Sequence, residues 1–385
     1  MLFQNLIVAA ALTVGVVAAP VHAQPAQQPS PSQTQSGQKT DRIVLPDVTV
    51  VAQKEPAKAQ TLPISVTAIT SAMLERAGVA IISDASVSAP NVVFTEFTAR
   101  KLSNPRFRGV GSSPSNPGVT TFLDGVPQLN SNTSSVSLLD VEQIEFVRGP
   151  QSSLFGRNTL GGLVNVSSTR PSLSAWTGRV VAPFGNFGAR DIQASVAGPL
   201  SSKVGLSVAF GHGERDGFSK NTVTGNTIDD RSATFGKAQL LWTPSAQWET
   251  RLIVSGERSR DGDYALNDLA SVRANPFTVS RDMEGRQDRN VTTATLLARH
   301  ESGRFSLTST SGLVRWKTTD LTDLDYSPLP FLTRENAEKA TQFTQEIRLA
   351  SAPVRLSDTT SLSWQAGVFG FTQDYEQDAV NTYAA

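Results

Sequence analysis

Downstream of Pro171 the chain repeats one pattern, runs of about ten residues in which apolar positions alternate with small or polar ones, separated by polar turns. Successive side chains of an extended strand point to opposite faces. Val204, Leu206, Val208 and Phe210 therefore share one face, and Gly205, Ser207, Ala209 and Gly211 the other. Ile192, Ala194 and Val196 oppose Gln193 and Ser195 in the same way, and Ala238, Leu240 and Trp242 oppose Lys237, Gln239 and Leu241. Leu362, Trp364, Ala366 and Val368 oppose Ser363, Gln365 and Gly367. About nine such strand candidates lie between Trp176 and Tyr375. Two architectures alternate like this, a soluble β-sandwich and a transmembrane antiparallel β-barrel; Gly, Ser, Gln and Lys on the second face suit a wet lumen and favour the barrel.

Upstream the texture is that of a small α+β domain. From Ile64 to Thr169 short strands alternate with one clear helix, Ser71 to Ala77, which Gly78 should close. Asp124-Gly125 between TFL and VPQ predicts a tight hairpin turn. Gly149-Pro150 ends the strand that carries Ile144 and Phe146. Before this domain, Gln24 to Thr40 is rich in Gln, Pro and Ser and reads as a flexible linker, since it has no apolar period with which to bury a core. Leu2 to Ala19 is apolar or small apart from Gln4, Asn5 and Thr13. With Val21-His22-Ala23 behind it, this reads as a secretory signal peptide cut after Ala23, although its first residues carry no Lys or Arg. An uncleaved anchor would need about 20 uninterrupted apolar residues. The expected organisation is a signal peptide at 1–23, a linker at 24–44, a short β-branched run at 45–52, an α+β domain at 53–170 and barrel strands at 171–385.

Composition narrows the function classes. The 34 basic and 34 acidic residues cancel, so no basic surface for nucleic acid is expected. Cysteine is absent, which removes disulfides, thiolate metal sites and cysteine nucleophiles. Gly156 to Gly161, GRNTLG, has the glycine spacing of a phosphate loop, but Gly162 and Leu163 stand where Lys and Ser or Thr are required. His22 falls in the signal, leaving His212 and His300, too few and too scattered for zinc. There is no G-x-S-x-G elbow and no defensible carboxylate pair. No enzyme, metal site or cofactor is expected.

The stretch VEQIEFVRGPQSSLFGRNTLGGLVNVSST, Val141 to Thr169, preceded by RFRGVG at Arg106 to Gly111 and TFLDGVPQ at Thr121 to Gln128, resembles the plug domain of TonB-dependent outer-membrane receptors. The resemblance implies an α+β plug followed by a transmembrane β-barrel, here truncated: family barrels have about 22 strands, more than residues 171–385 can supply. It also implies a protein of the Gram-negative outer membrane that takes up nutrients actively, with a ferric siderophore as the commonest cargo and the TonB energising protein and membrane lipid as partners. LPDVTVVA (Leu45, Pro46, Asp47, Val48, Thr49, Val50, Val51, Ala52) resembles the TonB box, which would pair with the energising protein by strand addition; the same residues also fit an ordinary edge strand of the plug. Arg108 and Arg148 match plug arginines that pair with barrel carboxylates, and Glu346 is the candidate partner, since Phe343, Ile347 and Leu349 define the lipid face and leave Thr344, Glu346 and Arg348 facing the lumen. Glu346 could equally be solvated beside Arg348. Asn104, Ser112, Asn116 and Asn130 lie in polar loops where the family places ligand contacts. The alternative function is a secreted or surface β-rich binding or adhesion protein without transport; a nonfunctional remnant is a third.

Overall fold

The computed structural model describes residues 7–15, 48–95, 104–111, 117–135, 137–357 and 360–384. The first body is a five-stranded sheet of β1 (Ser65–Thr70), β2 (Val119–Leu123), β3 (Val126–Gln128), β4 (Val141–Arg148) and β5 (Gly162–Ser168) in the order β1-β4-β5-β2-β3. Only β5 and β2 run parallel. The helix reading holds: Ser71–Arg76 is helical, and Gly78 follows with φ +64°. Asp124 and Gly125 turn the β2-β3 hairpin with φ of +50° and +82°, the left-handed pair that the two-residue turn requires.

Period-two alternation gives this sheet two apolar faces. Ile144, Phe146, Val164, Val166 and Leu123 pack with Leu74 and Ile82 of the short helices. Phe122, Val147 and Leu163 point the other way, and Val50 and Ala52 cover them.

Among the described residues, the second body is an antiparallel meander of nine strands in chain order, the number that the alternation suggests. They are β6 (Thr177–Val181), β7 (Arg190–Ser201), β8 (Val204–Arg215), β9 (Arg231–Ser245), β10 (Trp248–Gly262), β11 (Arg286–Glu301), β12 (Phe305–Asp323), β13 (Leu332–Ser351) and β14 (Ser361–Tyr383). Short turns at 202–203, 246–247 and 302–304, with the longer connection 352–360, mark one end, and connections at 182–189, 216–230, 263–285 and 324–331 the other. This asymmetry is that of outer-membrane barrels, whose short turns face the periplasm. The side-chain directions follow the expectation: Val208, Phe210, Leu240, Leu252, Leu296, Phe343, Ile347 and Val368 are exposed on the outer face, while Ser207, Lys237, Gln239 and Thr344 are buried toward the plug. Trp242, Trp248 and Trp364 stand exposed near the short-turn end, as the aromatic girdle of a membrane barrel does.

The long connections are tied together. Arg281 and Asp263, each almost fully buried, form an ion pair at 3.2 Å, and Asn221 exchanges hydrogen bonds with the backbone N–H and C=O of Arg281 at 3.1 and 3.0 Å.

Among the described residues the nine strands do not close on themselves. The outer edge of β14 carries Ile7–Gly15, antiparallel from Ile7 opposite Phe371 to Gly15 opposite Ser363. This apolar run, which lies inside the stretch read as the signal peptide, supplies the main-chain partners that an edge strand otherwise lacks.

Wall and plug interlock by shape as well. A Cβ on Gly312 of β12 would sit 2.5 Å from both methyls of Val126 and 2.7 Å from the Thr344 hydroxyl. The missing side chain is the hole that seats the β2-β3 hairpin.

Candidate functional site

The segment that opens the plug runs between the sheet and the barrel wall. Val48 and Val50 alternate with Thr49 and Val51, and Thr49–Val50 pairs antiparallel with Ala57–Lys58. Val50 and Ala52 are buried at 1% and 0% exposure against Phe122, Val147 and Leu163. The N–H of Val51 donates to Glu145 Oε1 at 2.9 Å. Gln143 Nε2 donates to the same oxygen at 2.9 Å and to the carbonyl of Thr49 at 3.1 Å. Burial pushes the Glu145 carboxyl above its ordinary value, and the three donors around it, Val51, Gln143 and Asn165, oppose the shift. Val48 to Ala52 is thus a docked segment whose paired strand is Thr49–Val50; Leu45, Pro46 and Asp47 lie outside the described residues.

Beyond Ala52 the chain turns, with Lys54 at φ +66° and its N–H donating to the Val51 carbonyl at 2.7 Å. This turn meets the wall through charge. The Lys54 ammonium pairs with Glu346 and lies 5.1 Å from the centre of the Phe155 ring. Arg348 donates to the Lys54 carbonyl and to Glu55 Oε1, the latter at 2.9 Å, and reaches Glu346 at 3.3 Å. Arg299 on β11 meets Glu55 Oε2 at 3.2 Å. Burial lowers the Lys54 pKa, and the carboxylate of Glu346 counters most directly. The five charges alternate in sign along the chain of contacts Arg299, Glu55, Arg348, Glu346, Lys54.

The partner expected for Glu346 is therefore corrected. Glu346 does face the lumen, but it meets Lys54 and Arg348 rather than Arg108 or Arg148. Arg148 stays inside the plug, donating to the Pro90 carbonyl at 2.6 Å and to Thr67 Oγ1 at 2.9 Å. Burial and the neighbouring charge of Arg108 hold its guanidinium below the ordinary value. Arg108 itself is exposed, at φ +50°. The reason is register: Glu346 sits opposite Thr310, near the short-turn end of β12 and β13, where residue 54 turns.

Elsewhere the wall grips the plug largely through its backbone carbonyls. Lys237 donates to the Leu139 carbonyl at 2.5 Å, Arg251 to Ser168 at 3.1 Å, and Arg289 to Asn132 and Ser135 at 3.0 Å each. Gln342 donates to the Pro127 carbonyl at 2.8 Å. Ser207 and Gln239 meet the Asp140 carboxylate at 2.7 and 2.9 Å. Of the residues expected to touch ligand, Asn130 caps the short helix Ser131–Ser134, its side chain accepting from the Asn132 N–H at 2.9 Å. Asn104 begins a strand that pairs with Val92–Thr95, and Ser112 and Asn116 lie outside the described residues. Lys54, Glu55, Arg299 and Glu145 escaped the sequence reading because their meaning lies in partners up to hundreds of residues away; the one local signal was the adjacent opposite pair Lys54-Glu55 behind a β-branched run.

Comparison with known proteins bears on this arrangement. Residues 58–163 match the TonB-dependent receptor plug domain. The chain is 29% identical over 255 residues to the pesticin receptor of Yersinia pestis, covering 63% of this chain and 36% of the relative. It is 30% identical over 171 residues to the ferrioxamine B receptor of Salmonella typhimurium, covering 42% and 23%. The chain thus spans about a third or less of the curated relatives it matches. In fold it is similar to the ferric yersiniabactin uptake receptor of Yersinia pestis, with a TM-score of 0.75 and 22% identity over 83% of this chain and 50% of that one. The ferripyoverdine receptor of Pseudomonas aeruginosa gives 0.70 and 14%, over 86% and 45%. Residues 58–163 are thus a TonB-dependent receptor plug domain, seated against an outward-apolar wall of antiparallel strands, and the whole is similar in fold to these outer-membrane receptors.

Proposed function

We propose that the whole protein is a TonB-dependent transporter that takes up a metal chelate, a ferric siderophore like those of the yersiniabactin and ferrioxamine B receptors it resembles, and that Leu45 to Ala52 is its TonB box. The observation that carries this reading is the docked segment at the short-turn end, whose backbone can add to a partner strand only after it leaves the plug. Cargo binds from the long-loop side; the energising protein takes the segment from the other. Its work goes into undocking Val50 and Ala52 and parting the charge chain at Lys54 and Glu55, not into bond chemistry. On this reading the signal peptide is cut after Ala23, and β14 then pairs with further barrel strands in place of Ile7–Gly15. The apolar outer face of the wall speaks against a secreted binding protein, since large exposed apolar surface marks a membrane or partner interface.

The test is uptake of radioactive iron, offered as ferric yersiniabactin, ferrioxamine B or ferripyoverdine, by cells whose only such receptor is the full-length protein. Deleting Leu45 to Ala52 is expected to abolish energised uptake and to leave chelate binding intact. Loss of both, or of neither, contradicts the assignment of the segment; no uptake of any of the three contradicts the cargo class.

A further inference from the structure

The outward face of the wall changes character toward the long connections. Trp248 and Arg258 lie ten residues apart on β10. At about 3.3 Å per residue and a strand tilt of about 40°, that is roughly 25 Å along the membrane normal, the height of a barrel's apolar band. Between them the outward positions of β10 are Thr250, Leu252, Val254 and Gly256, none of them charged. Register extends the Arg258 level sideways: Arg258 stands opposite Asn290 of β11, and Asn290 opposite Lys317 of β12. One step toward the apolar band, Gly256, Thr292 and Arg315 form the next outward row. Arg258, Arg315 and Lys317 are all exposed. Arg258 and Lys317 are two strands apart, about 10 Å, and Arg315 is about 7 Å from Lys317 along β12, so the three side chains converge over Asn290 and Thr292.

Other outward cations near this level have carboxylates. Arg190 on β7 meets Glu214 of β8 at 3.9 Å, and Lys339 on β13 meets Glu376 of β14 at 2.8 Å. Arg260 and Arg286 share Asp288 at 3.5 and 3.9 Å. Among the described residues, no carboxylate pairs with Arg258, Arg315 or Lys317. Like charges gathered at the edge of a low-dielectric phase repel one another and are poorly hydrated on the membrane side, and an anion supplied from that side relieves both. Long basic side chains lay their stems along apolar surface and raise their charged ends to the head-group level. We propose that Arg258, Arg315 and Lys317, with the Asn290 amide and the Thr292 hydroxyl, form a binding site for the phosphate groups of an anionic glycolipid in the leaflet on the long-connection side. Its acyl chains lie against Val254, Leu296 and Leu313, the outward apolar positions just below. A lipid held there bridges β10, β11 and β12 beneath the connection 263–285 and steadies the base of that connection. The site rests on the outer-membrane placement above but not on transport.

The test is native mass spectrometry of the full-length receptor, purified from the outer-membrane fraction in mild detergent, delipidated and titrated with bisphosphorylated lipid A. The lipid is expected to stay bound, dephosphorylated lipid A to bind far more weakly, and excess inorganic phosphate to leave the lipid in place. Replacing the three cations together, Arg258→Gln with Arg315→Gln and Lys317→Gln, is expected to weaken binding by roughly 100-fold, given the usual worth of a basic residue beside an anionic membrane. Arg190→Gln with Lys339→Gln removes two cations that are equally outward but paired, and is expected to leave binding unchanged. Undiminished binding by the triple variant, an equal loss in the paired-cation variant, or equal binding of the dephosphorylated lipid overturns the site. Displacement by inorganic phosphate makes it a site for free anions and overturns the lipid assignment. The comparison of the two lipids on the unaltered receptor decides the question even where the triple variant does not fold. A protein that never reaches the outer-membrane fraction removes the placement and the site together, whereas a receptor that holds the lipid but imports none of the chelates removes the transport reading alone.

Discussion

Lys54→Glu is expected to undock the segment without unfolding the plug. The substitution sets a carboxylate against Glu346, beside Glu55, where an ammonium stood. Breaking a buried ion pair by altering one partner costs about 3 to 5 kcal/mol; with both side chains slightly solvated, about 2 to 3 kcal/mol is the reasonable share here. That corresponds to roughly 30- to 150-fold in the docking equilibrium. Amide hydrogen exchange of a peptide covering residues 48–58 reads it directly, because the Val51 N–H is protected by Glu145 only in the docked state. Exchange there is expected to accelerate by at least tenfold, with strands β4 and β5 unchanged. Adding Glu346→Lys should restore part of the protection, since Arg348 lies close by and disfavours a second cation. Unchanged exchange in Lys54→Glu would show that apolar packing of Val50 and Ala52 alone holds the segment.

Gly162→Ala is expected to prevent the plug from folding. Gly162 begins β5 at φ +137°, a conformation open to glycine and strained for any L side chain. A Cβ there would stand 2.1 Å from the Val147 carbonyl oxygen and 2.8 Å from the Phe107 ring, in the middle of the paired strands β4, β5 and β2. Backbone strain and overpacking together cost about 4 kcal/mol or more, a large share of the roughly 5 to 15 kcal/mol that stabilises a domain. Limited proteolysis of membrane fractions should show the protected plug fragment disappear. Gly78→Ala is the matched comparison, because Gly78 has φ +64° at a helix C-terminus but nothing within 4 Å of its Cβ position, and it should cost only about 1 kcal/mol. Equal protease resistance of the two variants would mean that β5 can shift to accommodate the methyl.

Local rules made much of the fold legible. Asp124-Gly125 could only be a tight turn, and Gly78 a helix stop, because those backbone conformations exclude most other residues. The wall strands were legible because lipid on one face and plug on the other impose a strict period of two, and even the inward direction of Glu346 followed from Phe343 and Ile347. Partners were not legible. Glu346 could be placed on a face but not at a height along the lumen, and height decided that it meets Lys54 rather than a plug arginine. The run from Val48 to Ala52 showed its β character but not its burial, since the apolar surface that receives it comes from Phe122, Val147 and Leu163, far along the chain.

Transport is expected to require that the segment leave the wall. The most direct measurement uses Glu55→Cys with Arg299→Cys in the full-length receptor, any other cysteine being replaced by serine, joined by a short thiol crosslinker that a reductant cleaves. Chelate uptake is expected to stop in the crosslinked protein, with binding retained, and to return once the link is reduced. Uptake that proceeds while residues 55 and 299 remain joined would contradict it.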